Sequence, residues 1–264
     1  MYYDSHIHSL NSIDGSVPVM AICERAIAIG LSGIALTDHA EVEFGLRSSR
    51  DVVENLKADI KQARKICGER LEISLGIELG EGHHNLSLAE ELTSDPEVDF
   101  VIGSIHKPRN WEDYYYVDFD ATDPQKMLDT YCDELMEMAA AGCYDVIGHI
   151  FFQLRYMSAK TRAKYDLSPY LGRIREILRE VARAGKGIEI NTSGLWHNIG
   201  ITLPPMEIVK IFREEGGKIV TIGSDAHRLE RVGLALDGAV RCLAAAGFDK
   251  FAFYKKRTPH FHDI

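Results

Sequence analysis

Seven short apolar runs of this chain stop at side chains able to bind a metal. YYDSHIH carries His6 and His8, SGIALTDH ends in Asp38 and His39, and LEISLGIE ends in Glu78. VDFVIGSIH ends in His106, and YDVIGHI carries His149. KGIEINTSG carries Glu189 and Asn191, and KIVTIGSDAH carries Asp225 and His227. Alternate residues of a strand point to one side, so His6 and His8 project together from the end of the first run. A single histidine of this kind is usually an ordinary core or surface residue. A whole set in register is not a packing device, because a buried imidazole or carboxylate is costly unless paired or ligating. The pattern predicts a metal centre. Imidazoles and carboxylates without a thiolate suit Zn²⁺, Mn²⁺ or Fe²⁺, and the donors alone do not choose among them.

The segments between these runs are helix-like. They cover residues 18–30, about 50–67, 124–141, about 168–184, 204–215 and about 232–246, and several begin at Pro or a capping residue and end at Gly. A further short run, DKFAFYK, follows the last of them. Strand alternating with helix along the whole length means βα units and a mainly parallel sheet. Seven or eight such units predict a closed or distorted barrel, and 264 residues fit one domain spanning 1–264. In a βα barrel the C-terminal strand ends share one rim, so donors far apart in sequence are expected to meet there.

Composition narrows the function. Thirty basic against forty acidic side chains give a formal charge of −10, which argues against a nucleic-acid partner. No apolar run approaches the ~20 residues of a membrane span, and no basic-then-apolar leader is visible at the start. The five cysteines, Cys23, Cys67, Cys132, Cys143 and Cys242, are dispersed without CxxC pairs. They read as reduced thiols used in packing, and the expected location is cytoplasmic.

The motifs DSHIHS with Asp14-Gly15, TDH, GIE, GSIH, GHI and GSDAH, in that order, resemble those of the PHP (polymerase and histidinol phosphatase) superfamily. The ending FAFYKKRTPHF also resembles its histidinol-phosphate phosphatase branch. The resemblance implies a distorted (β/α)7 barrel with three divalent transition-metal ions. One ion would be held by His6, His8, Glu78 and Asp225. A second would share Glu78 and add His106 and His149. The third would take Asp14, His39 and His227. Many members carry an acidic residue two positions after the fifth-run histidine, where this chain has Phe151.

Such a centre suits hydrolysis of a phosphate monoester by a hydroxide held between metals. The implied substrate is L-histidinol phosphate, a small molecule of histidine biosynthesis, with Glu78, Asp225, Arg155 and Arg228 as the catalytic set. Guanidinium forks complement a phosphate dianion. Arg155 and Arg228 lie just past the His149 and His227 runs, and Lys107 and Arg109 follow His106. Trp196 and His197 sit on the same expected rim as substrate contacts. Asp38 is expected to orient a ligating imidazole from behind. His83 and His84 read as a surface turn, Tyr114–Tyr116 as packing, and His260 and His262 as unrelated to the chemistry. The alternatives are a nucleotide phosphatase or nuclease of the superfamily, or a non-catalytic metal-stabilised binding module. The oligomeric state is left open.

Overall fold

The computed structural model describes residues 2–197 and 199–264. Its strands are β1 (Tyr3–Ile7), β2 (Gly33–Leu36), β3 (His39–Glu41), β4 (Glu72–Gly80), β5 (Phe100–Ser104), β6 (Val146–Ile147), β7 (Gly187–Asn191), β8 (Val220–Gly223), β9 (Lys250–Lys255) and β10 (Thr258–Asp263). The helices are α1 (Val19–Ala28), α2 (Gly45–Cys67), α3 (Leu86–Thr93), α4 (Pro124–Ala141), α5 (Ala159–Arg162), α6 (Leu171–Arg183), α7 (Ser193–Trp196), α8 (Met206–Glu214) and α9 (Leu236–Ala246).

Strands β1, β2, β4, β5, β6, β7 and β8 run parallel in that spatial order. The two ends of this path meet at the site rim. Asp225 N donates to His6 O at 2.8 Å, and His8 N donates to Ala226 O at 2.9 Å. The result is the expected distorted (β/α)7 barrel. Short β3 extends the rim beside β4, while β9 joins β8 in parallel and turns back as β10.

Strand alternation divides the barrel chemically. Outward residues such as Ile34, Leu36, Ile73, Leu75, Ile188 and Ile190 are buried in the main core against the helices. Inward residues form a lower apolar layer, where Ala35, Phe100, Ile102 and Val146 pack with Tyr254 of β9. Above that layer the inward positions become His6, His8, Glu78, Glu189 and Asp225. Gly223 of β8 leaves room there for His6 of β1 and Glu189 of β7, since a Cβ on it would lie 2.4 Å from His6 Cβ and 2.5 Å from Glu189 Oε1.

Most helix expectations hold within a few residues. In α4 the Asp123 side chain accepts from Gln125 N, and Gly142 closes the helix at φ 63°. α2 begins at Gly45, about five residues before its expected start, so it takes up the chain directly after β3. α3 and β10 were not expected. α3 is only eight residues long and gains its start from Asn85, whose side chain accepts from Leu88 N. β10 exists because it pairs with β9, a tertiary partner that its own half-exposed sequence does not announce.

Candidate metal centre

The rim gathers five imidazoles around Glu78, with a sixth, His227, beside Asp14 and Asp225. His6 Nδ1 lies 2.7 Å from Glu189 Oε1, and Glu189 Oε2 accepts from His149 N at 2.8 Å. Glu189 thus holds the His6 ring so that Nε2 faces His8 Nε2 at 3.1 Å and Glu78 Oε2 at 3.2 Å. His8 Nδ1 is held by Ser12 Oγ at 3.1 Å, and its Nε2 is 3.2 Å from the same Glu78 oxygen. Asp225 Oδ1 stands 3.8 Å from His6 Nε2 and 3.5 Å from His8 Nε2. Asp225 has φ 57°, in the left-handed region, at the bend where β8 leaves the barrel.

Glu78 Oε1 accepts from Ser104 Oγ at 2.7 Å and faces His149 Nε2 at 2.7 Å and His106 Nε2 at 3.1 Å. Its Oε2 also approaches His39 Nδ1 at 3.2 Å. On the outer side, Asp14 brings its two oxygens to 3.6 Å from His39 Nε2 and 3.0 Å from His227 Nε2.

The residues fit bound metal ions on two observations. Glu78 Oε2 is buried, surrounded by imidazole nitrogens, and has no hydrogen-bond partner, which is costly unless something cationic satisfies it. Donors at ~2.1 Å from a tetrahedral ion stand about 3.4 Å apart, and the contacts among His6, His8, Glu78 Oε2 and Asp225 span 3.1–3.8 Å. Donor groups able to share an ion include His6–His8–Asp225, His6–Glu78–His149 and His8–Asp14–His39–His227. No cysteine is in any such group among the described residues.

Charge follows the same geometry among the protein groups alone. Burial opposes charge on His6, yet Glu189, Glu78 and Asp225 push its pKa well above the ordinary value. His39 and His106 are raised in the same way, against burial, by Glu78 and Glu41. Burial would raise Glu78 and Asp225, but the surrounding His6 charge, with His39 for Glu78 and Arg155 for Asp225, holds both well below the carboxylate range.

The centre opens into a cavity of about 1120 Å³. Arg155 lines it, donating from Nη1 to Asp225 Oδ2 at 2.7 Å and from Nη2 to Tyr156 Oη at 3.0 Å. Lys107 also lines it, but its ammonium is paired with Glu43. The far wall is aromatic, with Trp111, Tyr115, Tyr116, Phe152 and Tyr156.

Several expectations are corrected. Arg228 is exposed and does not line the cavity, because His227 faces the site and the next residue of an extended chain faces away. Trp196 does not line it either; its ring lies under the Arg231 guanidinium at 4.3 Å. Asp38 braces no imidazole. It sits one position before His39 on the opposite side, and its carboxylate accepts from Ser9 N and Ser9 Oγ at 2.5 Å. Arg109 is drawn off to Glu137. His83 and His84 are no surface turn: both Nε2 atoms meet Glu134 Oε2, His83 at the hydrogen-bond distance of 2.6 Å. Tyr114 is buried packing, whereas Tyr115 and Tyr116 are exposed at the cavity mouth. Phe151 packs on Tyr131 with ring centroids 5.1 Å apart, and its backbone N–H donates to Tyr131 Oη. His260 and His262 lie on β10, stacked against Phe253 and Phe251.

Sequence reasoning missed Glu41 and Glu134 and gave Glu189 no part in orienting His6. Glu41 was legible, because it stands two residues after His39 on one strand and therefore shares its face. Glu134 carries no local signal, being inside α4 and 50 residues from His84.

The chain resembles proteins with this chemistry in their names. It is 26% identical over 261 residues to a probable histidinol-phosphatase of Clostridium acetobutylicum, covering 97% of this chain and 98% of that one. It is 25% identical over 255 residues to a probable histidinol-phosphatase of Thermotoga maritima, covering 96% of each. Its fold superimposes on the crystal structure of the Lactococcus lactis histidinol phosphate phosphatase complexed with zinc, L-histidinol and phosphate, with TM-score 0.85, 22% identity and 98% of both chains covered. No helix among the described residues is long and apolar enough to cross a membrane. The PHP domain family model matches residues 4–193, most of the chain, and the protein belongs to that family.

Proposed function

We propose that this protein is a metal-dependent phosphomonoesterase that hydrolyses L-histidinol phosphate to L-histidinol and phosphate. The observation that carries the reading is the convergence of five imidazoles on Glu78, three of them on its unpaired Oε2, at the base of a cavity walled by Arg155. The names of the full-length relatives supply the substrate. His6, His8, Glu78 and Asp225 would hold one ion; Glu78, His106 and His149 a second; and Asp14, His39 and His227 a third. Zinc, manganese or iron suits these donors.

Divalent ions held there would supply a water of pKa about 7 and offset the charge of the phosphoryl oxygens. The chain's own groups do the rest. Glu189 and Ser12 fix the His6 and His8 rings with Nε2 inward, so both present lone pairs rather than N–H bonds. Arg155 offers guanidinium donors at the cavity wall for a phosphoryl oxygen while it holds Asp225 from behind. The aromatic wall shields the ester from bulk water and leaves room for the alcohol half.

The test is a panel of phosphate monoesters with metal-loaded protein. We expect the highest kcat/KM for L-histidinol phosphate. A uniform rate across the panel, a preference for nucleoside monophosphates, or no hydrolysis would overturn the assignment.

A further inference from the structure

The rim holds a buried carboxylate that none of the three proposed donor sets uses. Strand β3 runs parallel to β4 with His39 opposite Glu78 and Glu41 opposite Gly80. Alternation turns Ala40 into the core and sends His39 and Glu41 to the same side. There Glu41 Oε1 lies 3.0 Å from His39 Nδ1 and 3.1 Å from His106 Nδ1. One carboxylate oxygen thus faces the same nitrogen of two rings that are 67 residues apart in sequence, on β3 and past β5.

The other nitrogens of these rings point elsewhere. His106 Nε2 faces Glu78 Oε1 at 3.1 Å, and His39 Nε2 faces Asp14 at 3.6 Å. A ring that ligates through Nε2 carries its proton on Nδ1 and needs an acceptor there, which also fixes the ring plane. Gly80 provides the space for that acceptor: a Cβ at this position would lie 1.5 Å from Glu41 Oε2 and 2.3 Å from its Cδ. Any side chain at residue 80 would expel the carboxylate.

We propose that Glu41 is a positioning residue that orients His39 and His106 together, tying the second proposed donor set to the third, and that Gly80 is its cradle. The inference rests on the metal reading above. Glu41 hydrogen-bonds His106 Nδ1 and is the nearest carboxylate, at 3.0 Å against 3.2 Å for Glu78 Oε2, to the buried His39 Nδ1, which makes no other hydrogen bond; its loss would free two rings at once and weaken two ion sites in concert.

Metal binding to purified protein tests this by chelator competition, alongside ¹⁵N-histidine spectra of the zinc-loaded form and steady-state kinetics. In Glu41→Gln we expect metal affinity to fall ~10–100-fold, kcat to fall with it, and KM to change less than threefold. Excess metal should restore much of kcat. The native spectrum should show two protonated, hydrogen-bonded Nδ1 signals that shift together in the variant. Gly80→Ala should reproduce the metal profile of Glu41→Ala, and the double variant should be no worse than either. Native affinity and unshifted Nδ1 signals in Glu41→Gln would overturn the proposal, even if Gly80→Ala fails to fold. If the native protein itself binds no ions, the metal reading fails, and this inference with it; native binding with an unaffected Glu41→Gln sinks the inference alone.

Discussion

Arg155 Nη1 donates to Asp225 Oδ2 at 2.7 Å, leaving Oδ1 turned towards His6, His8 and His227. One carboxylate therefore serves two neighbours, with the arginine behind one oxygen and the imidazoles before the other. Arg155 is largely buried, stacked on Phe152 at 4.9 Å and Tyr156 at 5.0 Å. We expect Arg155→Ala to keep native metal stoichiometry at saturating metal, because Oδ1 and the histidines remain. Losing a charge-assisted contact should cost about 1.5–3 kcal/mol, or roughly ten- to a hundred-fold in kcat/KM for the phosphate ester. Unchanged efficiency would reduce Arg155 to a brace for Asp225.

Glu78 touches more of the centre than any other side chain described above, meeting imidazoles at both oxygens. Glu78→Gln replaces one oxygen with an N–H donor aimed at nitrogen lone pairs. Activity should disappear, and metal content by elemental analysis should fall below native. Full occupancy with normal turnover in this variant would sink the shared-ligand assignment.

Chelation should abolish activity, and Mn²⁺, Zn²⁺ or Fe²⁺ should restore it while Mg²⁺ restores little. The reason is the imidazole majority, since Mg²⁺ favours oxygen ligands and keeps its waters. Rates that persist after metal removal has been verified would rule this out.

Metal affinity should depend on pH with a definite sign. Burial disfavours charge on His6, His39 and His106, but the carboxylates around them outweigh it and raise all three pKa values well above the ordinary value near 6.5. In metal-free protein these rings hold protons that an incoming ion must displace. Affinity should therefore keep rising as pH increases above about 6.5, with proton release on binding. The same raised groups stabilise the metal-free fold fully below about 6.5, a contribution lost as pH rises through their folded values. Calorimetry at several pH values is the check, and a plateau already reached at pH 6.5 would contradict it.

Glu134 ties the loop of His83 and His84 to α4 and accepts from Arg109 N at 3.0 Å. Burial would raise its pKa, but the two histidine hydrogen bonds hold it below the ordinary carboxylate range. A depressed carboxylate stabilises the fold above its unfolded value of about 4.3 and loses that contribution as pH falls below it. Glu134→Gln should cost about 1–3 kcal/mol at neutral pH by urea unfolding. The difference from native should shrink below pH ~4; a constant difference down to pH 3 would show that the carboxylate charge is not what matters.

The sequence alone determined the kinds of donor and the strands that carry them. Period-two alternation and strand ends are local properties, so His6, His8, Glu78, His106, His149, Asp225 and His227 could be placed on one rim before any contact was known. The tertiary structure decided which nitrogen of each ring faces the centre, because that choice belongs to partners far along the chain: Glu189 for His6, 183 residues away, and Glu41 for His106, 65 away. It also separated the two candidate arginines, turning Arg155 inward onto Asp225 and leaving Arg228 in solvent. It reassigned His83 and His84 through Glu134, and Asp38 through Ser9. Residue spacing fixes the face a side chain leaves from; only closure of the barrel, which brings the end of β8 against β1, fixes what that side chain meets.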